Sequence, residues 1–147
     1  MSQVRRRGFT LVEVLLVVVI MAILAATVIP QFTESGEDAK VSSLMFNLHT
    51  LRAQIELFKL QHGGTPPAIT NNSLEALTKK TDASGAVNPS GEYGPYLVNG
   101  IPPNPITGEN VVTAGTYPFA AESGSDGWLY DASTGSIAPD TTAYLEY

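Results

Sequence analysis

The chain has 147 residues, a net charge of −6 and no cysteine. That length holds one modest domain plus an extra segment. The missing cysteines exclude disulfide staples, thiol catalysis and cysteine-ligated metals, and the acidic balance speaks against nucleic acid as a partner, since DNA binding relies on basic patches.

Three consecutive cations, Arg5, Arg6 and Arg7, stand before an apolar run from Phe9 to Ile29 whose only polar side chains are Thr10, Glu13 and Thr27. Roughly 20 apolar residues in helix cross the hydrocarbon core of a bilayer, so the run predicts a membrane helix over 9–30. The Arg cluster would set its topology by staying cytoplasmic, with the rest of the chain on the outer side. Glu13 is costly there, by about 2.5–3.5 kcal/mol on insertion scales. Either it lies close enough to the boundary to reach the headgroups, or it has a cationic partner. If the chain were cut after Gly8, the free α-amine of Phe9 would be such a partner. An ordinary secretory signal peptide is the rival reading of residues 1–27. It fits poorly, because Leu24-Ala25-Ala26 puts Leu where cleavage wants a small residue and Glu13 interrupts the apolar region.

Gly8-Phe9-Thr10-Leu11-Val12-Glu13, with basic residues before it and an unbroken apolar run after it, resembles the leader and N-terminal helix of type IV pilins and type II secretion pseudopilins, most closely a major pseudopilin. The resemblance is strongest over 5–30, weaker over 31–80 and loose beyond. It implies cleavage between Gly8 and Phe9 by a prepilin peptidase, N-methylation of Phe9, and a Glu13 carboxylate that neutralises the Phe9 amine of an adjacent subunit during assembly. It implies a pilin-like α+β fold, with a long N-terminal helix, membrane-spanning in its first half, packed on a small antiparallel sheet. The implied partners are further copies of the chain in a helical filament, related minor pilins or pseudopilins, the prepilin peptidase/methylase, an inner-membrane assembly platform and membrane lipid. The implied location is the bacterial inner membrane, single-pass, with the N-terminus cytoplasmic and the C-terminal domain periplasmic, and then a periplasmic or cell-surface filament.

Pro30 either ends the helix or bends it. Helical periodicity resumes soon after. Val41, Leu44, Leu48, Leu51, Ile55 and Phe58 fall at alternating spacings of three and four, which is one face of a helix. Arg52, Gln54, Glu56, Lys59 and Gln61 fill much of the opposite side. Pro30 and Gly36 mark where such a helix would kink. His62-Gly63-Gly64, with Pro66-Pro67 beyond, is a stop signal. The stripe predicts core packing rather than a coiled-coil seam, because strand-forming sequence follows that needs a partner.

Asn72-Ser73 reads as the cap of a short helix over 74–80. Residues 81–110, rich in Gly, Pro, Asn and Ser, predict an ordered loop laid over the sheet and pinned by Tyr93, Tyr96 and Leu97. A strand is expected at 111–113, a hairpin over 127–138 with a Gly-containing turn, and an edge strand at 144–147. The organisation is then a cleaved leader (1–8), a membrane and assembly half of the helix (9–30), an exposed amphipathic half (31–62) and a C-terminal loop-and-sheet domain (63–147).

No Gly-x-Ser-x-Gly elbow, P-loop or His-Glu-x-x-His pattern occurs, so the chain is expected to be neither an enzyme nor a cofactor protein. His49 and His62 lie apart on one helix, and His62 is placed at its C-terminus, where a cation is favourable. Glu122, Asp126, Asp131 and Asp140 offer hard oxygen donors suited to calcium. The alternative is turn carboxylates bonded to nearby amides, and the acidic, Gly-rich terminus of the family's calcium loop is lacking. The expected function is a structural subunit of a pilus-like filament, a type II secretion pseudopilus in protein export. The alternatives are a type IV pilus subunit serving adhesion, motility or DNA uptake, and a membrane-anchored or secreted periplasmic binding domain with an ordinary signal sequence.

Overall fold

The computed structural model describes residues 8–119, 124 and 126–145, the side chains of 28–35 excepted. The elements are α1 (Leu11–Gln61), α2 (Glu75–Thr78), β1 (Val112–Ala114), β2 (Trp128–Asp131), β3 (Ser136–Pro139) and a 3-10 turn (Thr142–Tyr144). Packing divides the chain into two units, Met1–Ala39 and Lys40–Tyr147.

In the first unit α1 is helical through both Pro30 and Gly36, so the proline does not end it. The apolar side chains from Leu11 to Leu24 stand exposed. Among the described residues no helix is long and apolar enough to cross a membrane. The span expected over 9–30 lies partly outside the side chains described. The described side chains of the run stop at Thr27, short of the roughly 20 apolar residues a crossing needs.

The second unit is organised by the stripe on α1. Leu44, Leu48, Leu51, Ile55 and Phe58 are all at most 1% exposed. They form one core with Leu74, Leu77, Val112, Trp128, Tyr130 and Ile137. Each such side chain stabilises the fold by about 1.5–3 kcal/mol when fully buried, so this seam is the main source of stability. The helix ends as its sequence demands. Gly63 (φ 64°) and Gly64 (φ 89°) turn left-handed, and Gly64 N–H donates back to Lys59 O at 2.7 Å.

The sheet has the order β1-β2-β3. The β2–β3 hairpin is antiparallel, with Tyr130 opposite Ile137, as the alternation predicts. The expectation of an all-antiparallel sheet is corrected at β1, which runs parallel to β2, pairing Val112 with Trp128. Parallel neighbours need a crossover of a dozen or more residues, and the stretch between β1 and β2 is long enough. Both faces of β2 are covered, since all four of its residues are buried.

Four local expectations shift. Asn71 and Asn72 both have positive φ (51° and 53°), and Thr70 and Ser73 exchange hydrogen bonds of 2.9 and 3.0 Å across them. The asparagines therefore form a two-residue hairpin turn instead of capping a helix. α2 is shorter than 74–80 and has Leu74 at its N-cap. The loop after it is pinned to helix ends as well as to the sheet: Tyr96 N–H and Leu97 N–H both donate to Leu77 O at 2.8 Å, and Tyr96 OH donates to Gln61 Oε1 at 2.6 Å. Its second half reaches the sheet through Trp128 Nε1–H, which donates to Pro102 O at 2.9 Å. Tyr144 lies in the 3-10 turn rather than in an edge strand, packed on the core.

Candidate functional site

α1 begins one residue after Thr10, and Thr10 O accepts the first helical bond from Val14 N–H. Thr10 N–H and Thr10 Oγ1–H both donate to Glu13 Oε2, at 2.9 and 2.8 Å. Glu13 N–H donates in return to Thr10 Oγ1 at 3.2 Å. This is a capping box. It satisfies donors that would otherwise be orphaned at the helix start and sets a carboxylate at the positive end of the helix dipole. Headgroups and a Phe9 amine are thus not the only candidates for partnering Glu13, because its own helix terminus supplies one. The signal, Thr-x-x-Glu before an apolar run, stands in the sequence. Just ahead of the box, Gly8 is exposed with open space around it, and Phe9 is 86% exposed.

Arg5, Arg6 and Arg7 lie outside the described residues, as does the side chain of Pro30. Gly36 lies within α1 with nothing near the place a Cβ would occupy.

Among the described residues the calcium candidates are not gathered into one donor set. Asp131 Oδ1 accepts from Ser133 N–H at 2.8 Å and Ser133 Oγ–H at 2.6 Å, and its Oδ2 accepts from Tyr117 N–H at 3.1 Å. The Ser133 hydroxyl and the Tyr117 amide hold this carboxyl far below the usual carboxylate range. It is a turn carboxylate with its oxygens occupied. Asp126 and Asp140 do meet, through Asp126 N–H donating to Asp140 Oδ2 at 3.1 Å, and the Thr113 hydroxyl donates to Asp126. Glu122 lies outside the described residues. Among the described residues no three acidic or histidine groups are placed to hold a metal ion.

His49 is exposed. His62 is buried just past the helix end, stacked on Phe58 at 4.0 Å. Its Nδ1 is 2.8 Å from Phe58 O and its Nε2 is 3.0 Å from Asp82 O, so both ring nitrogens face backbone carbonyls. A groove of about 670 Å³ beside β3 is lined partly by Arg52, Lys59 and Tyr117. Arg52 Nη2 donates to Ile137 O at 3.1 Å and Lys59 Nζ to Thr134 O at 3.3 Å. These cations tie α1 to the hairpin and guard its edge.

A family model for the prokaryotic N-terminal methylation motif matches residues 4–29. The type II secretion system core protein G of Pseudomonas aeruginosa is 39% identical over 80 residues, covering 54% of this chain and 55% of that protein. That of Dickeya chrysanthemi is 36% identical over 76 residues, covering 52% and 48%. That of Klebsiella michiganensis is 30% identical over 111 residues, covering 74% of each. The chain thus spans about half the length of the first two relatives and about three quarters of the third. No solved structure matches it. A capped apolar helix bearing the methylation motif and continuing as the spine of a small α+β domain defines a pilin-like protein. Within that class the chain belongs to the type II secretion system core protein G family.

Proposed function

We propose that the chain is a structural, non-catalytic subunit of a type II secretion pseudopilus that takes part in protein export. The observation that carries this reading is the methylation motif at the head of α1 in a chain that matches core protein G over three quarters of both lengths. In this reading Arg5, Arg6 and Arg7 hold the leader on the cytoplasmic side of the inner membrane, and the apolar half of α1 rests in lipid before assembly. A prepilin peptidase cuts between Gly8 and Phe9 and methylates the new amine. Glu13 is held by Thr10 until then. Afterwards a Phe9 amine, from the same or an adjacent copy, offers it a cation. Two charges that meet in a low-dielectric site are far less costly there than either alone, so the pair sets the register between copies. Assembly-platform proteins and minor pseudopilins would act on this subunit as it joins the filament.

Mass spectrometry of the mature chain tests the reading together with deletion of its gene. Methylated Phe9 at the N-terminus and loss of export in the deletion strain support it. A mature chain beginning near Thr27 would return the segment to an ordinary signal peptide. Intact export with lost surface pili would move the chain to the type IV pilins.

A further inference from the structure

His62 is almost fully buried, at 6% exposed, and the two carbonyls at its ring make unequal demands on it. Nδ1 lies 2.8 Å from Phe58 O and Nε2 lies 3.0 Å from Asp82 O. A carbonyl oxygen only accepts, and a neutral imidazole has one N–H. The neutral ring therefore bonds one of these carbonyls and turns a lone pair toward the other. The imidazolium, with two N–H groups, bonds both.

The surroundings suit a cation as well. The ring lies flat on Phe58, an arrangement that favours positive charge. It stands just past the C-terminal end of α1, where the helix dipole is negative. The titratable groups facing it from the loop are Asp82, Tyr93 and Tyr96. On α1 the nearest cation, Lys59, is bonded to Glu56 and to Thr134 O.

Segment 81–93 hangs on this ring. It is closed on itself: Thr81 and Tyr93 exchange bonds of 3.0 and 3.2 Å, and Asp82 N–H donates to Ala86 O at 3.0 Å. Its turn rests directly on the rings, since a Cβ at Gly85 would stand 3.1 Å from Phe58 Cζ. Among the described residues its hydrogen bonds to the end of α1 run through His62 alone, at Asp82 O and at the Thr81 hydroxyl, 3.2 Å from Nε2.

We propose that His62 is a proton-operated clasp: its imidazolium holds segment 81–93 on the end of α1 through Phe58 O and Asp82 O, and loss of the Nε2 proton releases the Asp82 side. The Thr81 hydroxyl then turns and donates to the bare Nε2, which satisfies the ring but gives up the second carbonyl. The closed clasp binds a proton that the open segment does not need. Its hold is therefore complete below the ordinary histidine value of about 6.5 and fades as pH rises above it. Carboxylates, phenols and ammonium groups ordinarily titrate outside about pH 5.5–8, so that window reports histidine. The chain has one other histidine, His49, which is exposed.

Hydrogen exchange of the full-length chain in detergent, read by mass spectrometry between about pH 5.5 and 8 and corrected for intrinsic rates, tests the clasp. Protection over 81–93 is expected to fall by up to about tenfold per pH unit on the alkaline side, while the amides of β2 keep theirs. His62→Gln should flatten the fall, and His49→Gln should leave it intact. A flat profile in the native chain would overturn the clasp, and so would an unchanged fall in His62→Gln. If His62→Gln unfolds, as the β2 amides would reveal, Thr81→Val still decides. That variant keeps the ring and removes the hydroxyl that serves its neutral form, so the fall should steepen; a flattened fall there would pass the role to Thr81 and end the proposal.

Discussion

At Glu13 one carboxylate is bonded to its own helix terminus and is, in the proposed filament, the ligand of an amine. Two substitutions separate these roles. Glu13→Ala removes both, and the processed chain should remain in the membrane fraction while polymerising poorly. Thr10→Ala removes the hydroxyl half of the cap, worth about 0.5–2 kcal/mol at a helix start, and keeps the charge and the backbone bond to it, so most filament yield should persist. Sheared-filament immunoblots of the two variants would check this, and normal filaments from Glu13→Ala would end the register idea. Asp131 gives a pH prediction. Its folded pKa is depressed by Ser133 and Tyr117. The stability it contributes is therefore present above the unfolded value near 4 and fades as pH falls below that. Asp131→Ala should flatten the acid limb of a stability profile measured by denaturant unfolding below about pH 4, and an unchanged limb would contradict the assignment. Neither role was hidden. Thr10-x-x-Glu13 is a capping-box pattern, and Asp131 two residues before Ser133 is a common turn bond. Tyr117 as the third donor to Asp131 had no local signal, because a distant loop supplies it.

At the scale of elements, α1 was the most legible. Its three-and-four spacing named the residues now buried from Leu44 to Phe58, and Gly63-Gly64 marked its end. Leu51→Ala should cost about 2–5 kcal/mol, readable as a lowered urea midpoint, because Leu51 is fully buried in the core. The β2–β3 hairpin was legible from its alternation and from Gly135, whose φ of 81° suits a turn. β1 was not. A three-residue strand carries too little pattern to fix its direction, which depends on the path of the whole connection to β2. Asn72-Ser73 misled for a physical reason: the same short polar side chains favour helix caps and left-handed turns, and at Asn72 the turn won.

Across the whole molecule, the packed unit begins at Lys40 rather than after the helix. The second half of α1 contributes much of the domain's core, which sequence periodicity suggested and burial shows. A fragment of residues 40–147 is therefore expected to unfold cooperatively and to stay soluble. One of residues 63–147 should fail to fold, for want of Leu44 to Phe58. Circular dichroism melts of both fragments would decide, and a folded 63–147 fragment would show that the helix is dispensable to the core. The filament expectation rests on the resemblance at the N-terminus alone. A single chain's periodicity says which faces are apolar, not which copy covers them.

The chain has one tryptophan, and Trp128 is fully buried at the junction of helix, sheet and proline-rich loop. Its fluorescence is thus a built-in optical gauge of the second unit alone. Emission should be blue-shifted in the native chain and move to the red when that domain opens. The proposed cleavage after Gly8 and methylation of Phe9, or a disturbed first turn of α1, should leave it still, so the integrity of that unit can be followed in cell extracts while the N-terminus is altered.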